Sequence, residues 1–191
     1  MPKVVNQEQY RRELLCKCFD LLAAKGYANV TTRQLSQELG ISTGAMYHYF
    51  PSKKALFEQL VQELGRQDEV MLKAATEGAT TVPERIASLG RCLIEHEAYF
   101  VKQAVIWMDF YQHSDPREVL GNPVFQQVDQ QYQRAITTAL GLAEPKVARF
   151  VWTLVNGLLV EQLGSEDCFE FAEQIDLLVK MLTAYFEKHG M

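Results

Sequence analysis

The spacing of apolar side chains constrains this fold most, because it follows the period of an α-helix along most of the chain. The first segment repeats an apolar residue at every fourth position: Tyr10, Leu14, Cys18 and Leu22. The last segment repeats them at intervals of three and four: Phe171, Ile175, Leu178, Leu182 and Phe186. Such spacings place the side chains on one face of a helix. No stretch alternates apolar and polar residues as a strand would, so the sequence predicts an all-α protein.

Local signals predict the bounds of the first two helices. Gly26 ends the first helix as a C-cap residue. The segment from Thr31 to Gln34 has the composition of a capping box, in which the threonine hydroxyl accepts a free backbone amide and Gln34 bonds back to the cap. We therefore expect a second, short helix that continues to about Leu39.

A third helix should follow the turn at Gly40, with Ser42 or Thr43 as its N-cap. It ends before Pro51, because the residue that precedes a proline disfavours helical geometry. Apolar residues then recur with helical spacing from Lys53 towards Ala75, which predicts a long fourth helix. This helix would link a three-helix domain over residues 1–52 to a helical domain over residues 53–191.

Prolines mark the starts of the later helices, since the first turn of a helix has no partner for the N–H that proline lacks. These residues are Pro83, Pro116, Pro123 and Pro145. The predicted helices span 83–100, 102–113, 117 or 122 to 140, 145–163 and 168–188. The segment 145–163 is apolar nearly all round, so we expect it to be buried on more than one side.

Composition indicates an ordinary globular protein inside the cell. The 191 residues are 48% apolar and 23% charged, which excludes wholesale disorder. The longest apolar runs fall short of the roughly 18 residues that a membrane span needs. The polar N-terminus also lacks the apolar core of a signal peptide. We expect a cytoplasmic protein without a membrane partner, whose few cysteines are reduced and pack in the interior: Cys16, Cys18, Cys92 and Cys168.

Charge is divided unevenly along the chain. Residues 1–60 carry eight Lys and Arg against five Asp and Glu, and the remaining residues carry eleven against nineteen. A basic head on an acidic body is typical of a small DNA-reading module attached to another domain. A charge excess of this size also arises by chance, so the case for a DNA-reading module depends on the motifs.

The most specific motif lies between Thr31 and Leu56. Two short helices joined by a turn at Gly40 form the pattern of a helix-turn-helix. After them comes the string Tyr47-His48-Tyr49-Phe50-Pro51-Ser52-Lys53-Lys54-Ala55-Leu56. With these features, residues 10–60 resemble the TetR family of transcriptional regulators. The resemblance implies a helix-turn-helix DNA-binding domain, followed by a helical bundle that binds a ligand and forms a homodimer.

The helix that begins at Thr43 is suited to the major groove of DNA. Its first turn is narrow, because residues 42–45 are Ser-Thr-Gly-Ala, and its backbone can therefore approach base edges. The resemblance implies backbone contacts at Thr32, Tyr47, Tyr49 and Lys53, and base-facing positions at Arg33, Thr43, Gly44 and Ala45. Arg33 is the best candidate for bidentate recognition of guanine. The predicted DNA-binding site comprises Thr31, Thr32, Arg33, Ser42, Thr43, Gly44, Ala45, Tyr47, His48, Tyr49 and Lys53.

Two neighbouring residues add a physical argument and an alternative. Lys53 and Lys54 lie at the start of a helix, where the dipole disfavours positive charge, so they need an anion that DNA would supply. The aromatic residues Tyr47, Tyr49 and Phe50 could instead be core residues, and we expect this of Phe50.

Aromatic side chains concentrate between residues 99 and 152, with polar residues between them. This composition is typical of a pocket for a small molecule, and also of any helical core. The predicted pocket comprises His96, Phe100, Gln103, Trp107, Phe110, Tyr111, Phe125 and Trp152. His96 and His113 could bind a metal ion or form hydrogen bonds in the pocket, but as lone histidines we expect them at a partly exposed surface. The predicted dimer interface is a four-helix bundle made from 145–163 and 168–188 of each subunit, through Phe150, Val151, Leu154, Leu158, Leu178 and Leu182.

Other classes of function find less support in the sequence. Asp109, Glu95 and His113 have no spacing that would put three reactive groups on one helix face, so we expect no catalytic site and no enzyme. Cys16 and Cys18 point about 200° apart on a helix and cannot share a metal ion. We expect no metal site and no cofactor. The sequence thus predicts a repressor that a small apolar or amphipathic effector releases from a palindromic DNA operator. The alternatives are a cysteine- or metal-dependent sensor and a helical interaction protein without DNA binding.

Overall fold

A computed structural model describes residues 6–141, 145–164 and 170–189. These residues form ten α-helices and no strand, which confirms the predicted all-α fold. The helices are α1 (Gln7–Lys25), α2 (Thr32–Glu38), α3 (Thr43–Tyr49), α4 (Lys53–Ala75), α5 (Val82–Glu95), α6 (Glu97–Gln112), α7 (Pro116–Leu120), α8 (Pro123–Leu140), α9 (Pro145–Gly164) and α10 (Phe171–His189).

The bounds of α1 to α4 confirm the predictions made from local signals. Gly26 follows α1 with φ of 83°, in the left-handed region that glycine adopts without strain. Thr31 caps α2 in a complete capping box with Gln34. Ser42, rather than Thr43, caps α3, since its hydroxyl accepts the amide of Ala45 at 3.0 Å.

Two of the later helix predictions are wrong in their bounds. The predicted helix 83–100 ends at Glu95, and α6 begins at Glu97 instead of residue 102. His96 interrupts the helix with φ of −111° and ψ of 21°, although neither proline nor glycine marks the break. The segment after Pro116 forms two helices, α7 and α8, separated by Gly121 and Asn122. The predicted start of the last helix at 168, and Cys168 itself, lie outside the described residues.

Packing divides the chain into two compact units. The first comprises Met1–Gly65 and Val105–Val128, and the second comprises Arg66–Ala104 and Asp129–Met191. The chain passes from one unit to the other inside α4, α6 and α8, so each connection is helical rather than a loop. The boundary between residues 52 and 53 was predicted on functional grounds, and it stays a prediction.

The core of the first unit joins α1 to α4 through buried apolar residues. Met46, Phe50 and Phe57 have no exposed surface, which confirms the expectation for Phe50. The Phe57 ring stacks on that of Phe110 with centroids 4.0 Å apart, which joins α4 to α6 in this unit. Burial of such large rings is a major source of the stability of a small unit.

The core of the second unit lies between α5, α9 and α10. Its buried cluster includes Ile86 of α5, Val155 of α9 and Ile175 of α10. Gly90 brings α5 and α10 together, because a Cβ placed on Gly90 would lie 2.5 Å from Cγ2 of Val179. Among the described residues, no helix is both long and apolar enough for a membrane span.

Candidate functional site

α2 and α3 form the helix-turn-helix that the motif predicts. Gly40 makes the turn with φ of 67°, and the amide of Ile41 bonds to the carbonyl of Ser36 at 3.0 Å. The hydroxyls of Ser36 and Thr43 lie 3.4 Å apart and join the two helices. The buried side chains of Leu35 and Met46 then fix both helices on the core.

This packing leaves the N-terminal turn of α3 open to solvent. Ser42, Thr43 and Gly44 are exposed, and Ala45 is half-buried. A Cβ on Gly44 would meet only the hydroxyl of Ser42, at 3.9 Å. The turn therefore has the narrow, accessible backbone that close approach to a groove requires.

α2 presents one cation beside this turn. Arg33 is exposed, and the structure gives its side chain no hydrogen-bond or ion-pair partner among the described residues. Its neighbours are engaged, since Thr31 caps α2 through its hydroxyl and Thr32 is buried. Of the predicted contacts on α2, the side chain of Arg33 is the one placed to reach a partner outside the protein.

The aromatic residues at the end of α3 differ in their surroundings. Tyr47 is 51% exposed, and His48 is exposed as well. Tyr49 is half-buried with its ring edge on that of Tyr10, at a centroid distance of 5.7 Å. Its carbonyl accepts from Gln59 at 3.2 Å. Tyr47 and His48 are thus free to contact a ligand, whereas Tyr49 also joins α3 to α1.

Both lysines, for which we expected an anion that DNA would supply, already have partners within the protein. Nζ of Lys53 donates to the carbonyls of Tyr27 and Val30 at 2.8 and 3.0 Å, and lies 4.3 Å from the centre of the Tyr27 ring. Burial lowers the pKa of Lys53, and the nearby Asp109 opposes this shift. Lys54 pairs with Glu118 at 2.8 Å, which raises its pKa.

Asp109 of α6 anchors the loop between α1 and α2. Its Oδ2 accepts the amide of Ala28 at 2.8 Å, and its Oδ1 lies 3.3 Å from Nδ1 of His113. A bond between residues so far apart in sequence leaves no local signal, so the sequence did not reveal this role. The loop that precedes α2 is therefore held from two sides, by Lys53 and by Asp109.

The eight residues of the predicted pocket divide between the two units. Trp107, Phe110, Tyr111 and Phe125 belong to the first unit. There Trp107 stacks on Tyr111 at 5.4 Å and meets the Phe125 ring edge-on at 5.3 Å. Phe110 is buried against Phe57. These four residues pack with one another, but only Phe110 and Phe125 are buried, whereas Trp107 is half-buried and Tyr111 is exposed.

The other four residues lie in the second unit. Phe100 is part of the buried core, and Trp152 packs against that core. His96 is exposed, with Nδ1 3.0 Å from the carbonyl of Cys92. Gln103 is buried and donates to both carboxylate oxygens of Asp68, at 3.2 and 3.0 Å.

Asp68 is the buried carboxylate that the sequence analysis missed. It is 1% exposed. Its Oδ1 accepts from the phenol of Tyr99 at 2.7 Å, and its Oδ2 accepts from the phenol of Tyr132. The Tyr132 ring stacks on Trp152 with centroids 4.3 Å apart. The sequence did contain a signal for this residue. Asp68 follows Leu64 by four residues, so a charged side chain lies on the apolar stripe of α4.

Burial governs the protonation of this cluster. Removal from water raises the pKa of Asp68, although the bonds from Tyr132, Tyr99 and Gln103 oppose the shift. The pKa of Tyr132 is raised well above its usual value by burial and by the charge of Asp68. The phenol of Tyr132 therefore stays a neutral donor, and Asp68 is the carboxyl group in this cluster whose charge can change.

The predicted dimer interface is partly wrong about which residues are accessible. Val151, Leu178 and Leu182 belong to the buried core of their own chain. Leu154 and Leu158 are half-buried against that core, whereas Phe150 is exposed. The helix 145–163 is also not buried all round within one chain, because Phe150, Val160 and Leu163 of α9 remain exposed.

A second exposed apolar row lies on α10. We call Leu177, Met181 and Tyr185 the α10 stripe, since they follow one another at every fourth position. Met181 is 60% exposed, the highest exposure of the three. The stripe and the exposed residues of α9 are the large exposed apolar side chains of these two helices. The stripe was not predicted, because the interface was assigned to Leu178 and Leu182, which lie about 100° from it on α10.

The described part of the chain gives little support to a metal site or a reactive cysteine. It contains no group of three or more potential metal ligands. Cys16 is exposed and Cys18 is buried, which agrees with their predicted divergence and corrects the expectation that Cys16 is a packing residue. Burial raises the pKa of Cys18 to about 12, so its thiol stays protonated.

Comparison with known proteins identifies the helix-turn-helix. The model of the family "Bacterial regulatory proteins, tetR family" matches residues 18–60, which include α2, α3 and the aromatic string after them. Over residues 18–60 the chain is therefore similar to the TetR family. The resemblance stated from the motif is thereby confirmed.

Curated relatives match part of the length of this chain. The HTH-type transcriptional regulator BetI of Brucella canis is 31% identical over 118 residues, which are 60% of this chain and 58% of the relative. The nucleoid occlusion factor SlmA of Glaesserella parasuis is 39% identical over 64 residues, or 34% of this chain and 32% of that protein. The chain thus spans less than two thirds of the curated relatives that it matches.

Solved structures extend the similarity of fold to nearly the whole chain. A putative transcriptional regulator from Pseudomonas aeruginosa has a TM-score of 0.74 at 17% identity, covering 97% of this chain and 93% of that one. A putative transcriptional regulator from Saccharomonospora viridis in complex with choline has a TM-score of 0.68 at 20% identity, with coverages of 94% and 96%. FadR from Bacillus subtilis in complex with stearoyl-CoA has a TM-score of 0.70 at 12% identity, with coverages of 91% and 97%.

Proposed function

We propose that this chain is a DNA-binding transcriptional regulator of the TetR family, located in the cytoplasm, and not an enzyme. In detail, it acts as a homodimeric repressor that a small apolar or amphipathic effector releases from a palindromic operator. One observation carries the proposal: the capped N-terminal turn of α3 is exposed between two free side chains, Arg33 of α2 and Tyr47 of α3. Such an arrangement is what a recognition helix needs in the major groove.

Each exposed side chain has a distinct part in the proposed complex. Arg33 offers the fork of donors that matches the O6 and N7 atoms of guanine. Tyr47 offers a phenol hydroxyl to a phosphate. Lys53 has two of its three donors bonded to carbonyls, so one donor remains for a phosphate. The mostly apolar pair Gly44 and Ala45 permits close approach and supplies few hydrogen bonds, so Arg33 carries much of the base recognition.

The exposed apolar surface of α9 and α10 supports the homodimer. The α10 stripe together with Phe150, Val160 and Leu163 gives the second unit a large apolar surface in the single chain. Exposed apolar patches of this kind mark interfaces. A two-fold dimer that packs α9 and α10 of each subunit into a four-helix bundle would cover both rows, and would supply the two recognition helices that a palindromic operator requires.

Two observations support control by an effector. Solved proteins of the same fold were found with choline and with stearoyl-CoA, so this fold accommodates ligands of different chemistry. In this chain, α4, α6 and α8 each continue from the second unit into the first. A ligand that shifts any of these helices in the second unit can therefore move the unit that carries α3, without a flexible linker to absorb the motion.

The test of DNA binding is selection of bound duplexes from a random pool, followed by affinity measurements at several salt concentrations. We expect a near-palindromic sequence with half-sites about one helical turn apart. Arg33→Ala should cost ~1–3 kcal/mol and relax the preference at one base position. Lys17→Ala is the matched control, because it removes one exposed positive charge from α1 of the same unit.

The Lys17→Ala control separates recognition of the bases from general electrostatic attraction to DNA. Loss of a charge at Lys17 should weaken all sequences alike and leave the base preference unchanged. If Arg33→Ala keeps the parent's preference at every position, the base-contact assignment is wrong. If the pool yields no enriched sequence at low salt, the proposed regulator gives way to a helical interaction protein.

A further inference from the structure

The carboxylate of Asp68 lies in the interior of the second unit, and none of the described residues pairs it with a cation. Its hydrogen-bond donors are Tyr99, Gln103 and Tyr132, all of which are neutral. The causes that set its pKa in the described part of the chain are burial and these three bonds, with no cationic side chain among them. Neutral donors satisfy the oxygen atoms but leave the net charge in place, so the cluster favours either a proton or a cation.

The surroundings of Asp68 suit an organic cation better than a metal ion. Tyr132 and Trp152 stack with an interplanar angle of 16°, and the Tyr99 ring meets Phe100 edge-on at 5.2 Å. Faces of Tyr and Trp attract ammonium groups. A divalent metal would need several oxygen or nitrogen ligands, and here Asp68 is the single carboxylate. Tyr99 and Trp152 are only half-buried, so the aromatic part of the cluster reaches towards the surface.

We propose that the effector is an organic ammonium ion, quaternary or protonated, with Asp68 as its counter-ion and Tyr99, Tyr132 and Trp152 as its aromatic contacts. The proposal rests on the proposed function, because it names the chemical class of the ligand that the regulator senses. Of the apolar or amphipathic effectors allowed by the proposed function, the site would select those that carry a positive charge beside their apolar groups.

The positions of these residues connect the site to the rest of the chain. Asp68 lies three residues after Gly65, where α4 leaves the first unit. Gln103 lies two residues before Val105, where α6 enters the first unit. Tyr132 lies four residues after Val128, where α8 leaves the first unit. A cation that draws Asp68 away from its donors would therefore act on all three connecting helices close to the points where they enter the other unit.

Calorimetric titration with choline and with 3,3-dimethylbutan-1-ol tests the site, because the alcohol has the same shape without the charge. Choline should bind more tightly than the alcohol by about tenfold or more. Asp68→Asn keeps the size of the side chain and should abolish the difference. Glu69→Gln is the control, since it removes a negative charge from the next, exposed position of α4 and should preserve the preference for choline.

A second variant covers the case in which Asp68→Asn does not fold. Trp152→Leu removes an aromatic face and should weaken choline more than it weakens the alcohol. Equal binding of choline and the alcohol to the unmodified chain, no binding of either, or an undiminished preference in Asp68→Asn would overturn the cation site. The DNA selection is independent: a chain that binds choline through Asp68 but selects no DNA would overturn the proposed regulator and leave the cation site standing.

Discussion

At the scale of single residues, Lys53 illustrates how a cation next to a DNA-binding element can first serve the fold. Its ammonium group closes the loop after α1 by bonding to the carbonyls of Tyr27 and Val30. The adjacent Lys54 makes an exposed ion pair with Glu118 instead. The two lysines are neighbours in sequence with the same charge, so they form a natural pair for separating a structural role from a surface role.

We predict that Lys53→Met lowers the free energy of unfolding by ~1–3 kcal/mol, because two hydrogen bonds from a charged donor are lost while the aliphatic stem remains. Lys54→Met should change it by roughly 0–1 kcal/mol, as exposed ion pairs contribute little. Urea denaturation of both variants gives the comparison. Equal losses for the two would show that the bonds of Lys53 to the loop contribute nothing specific.

The sequence predicted site residues where the signal is local and missed them where it is not. Arg33 and Tyr47 belong to a continuous motif, and both are exposed as a contact residue must be. Asp68 and Asp109 bond to residues that are 31 to 81 positions away. Such partners depend on how the helices pack, which no spacing along the chain encodes.

At the scale of helices, prediction succeeded where capping chemistry marks an end. The bounds of α2 follow from one capping box, and α4 spans the predicted 53–75. The break at His96 has no such mark, because the apolar pattern continues from α5 into α6. Helix ends without a capping residue, glycine or proline are therefore the ones that a single sequence conceals.

The approach of α5 to α10 leads to a prediction about Gly90. Alanine normally stabilises a helix by about 1 kcal/mol over glycine. At this position its Cβ would lie 2.5 Å from Cγ2 of Val179 and 3.5 Å from Cγ2 of Ile175. We expect Gly90→Ala to destabilise the chain by ~1–3 kcal/mol, because a β-branched neighbour is stiff and the core is closely packed.

The double variant Gly90→Ala with Val179→Ala tests the cause. Removal of the valine methyl groups makes space for the new Cβ, so the double variant should be more stable than the sum of the two single effects implies, by ~0.5–3 kcal/mol. Thermal or urea unfolding of all four proteins measures this coupling. Additive losses would contradict a direct clash between the two helices.

At the scale of the whole molecule, the two units differ in charge and in surface. Residues 1–60 of the first unit carry eight Lys and Arg against five Asp and Glu, whereas the rest of the chain carries eleven against nineteen. The exposed apolar rows of α9 and α10 lie in the second unit. Under the proposed function, the first unit carries the DNA-binding helices and the second carries the surface for self-association. The sequence predicted both the helical layout and the uneven charge. The sequence did not predict the exposed apolar face of α10. Periodicity reveals an apolar stripe but does not say whether the chain's own core or a partner covers it.

The last prediction concerns assembly. Met181→Arg places a charge in the middle of the α10 stripe, where the single chain leaves the side chain exposed, so the monomer should still fold. Leu120→Arg is the matched control, because Leu120 is 75% exposed on α7 of the first unit. Sedimentation should give a dimer for the parent and for Leu120→Arg, and a monomer for Met181→Arg.

DNA affinity should fall together with assembly. One helix-turn-helix reads too few base pairs to be selective, and a dimer binds both half-sites of a palindrome at once. Met181→Arg should therefore bind a palindromic operator much more weakly than the parent while retaining the parent's weak affinity for an isolated half-site. Leu158 is less suitable for this test because it packs against the core of its own chain, so an arginine there would confound folding with assembly. A parent chain that sediments as a monomer at micromolar concentration, or a Met181→Arg variant that stays dimeric, would exclude the α10 stripe as the dimer interface.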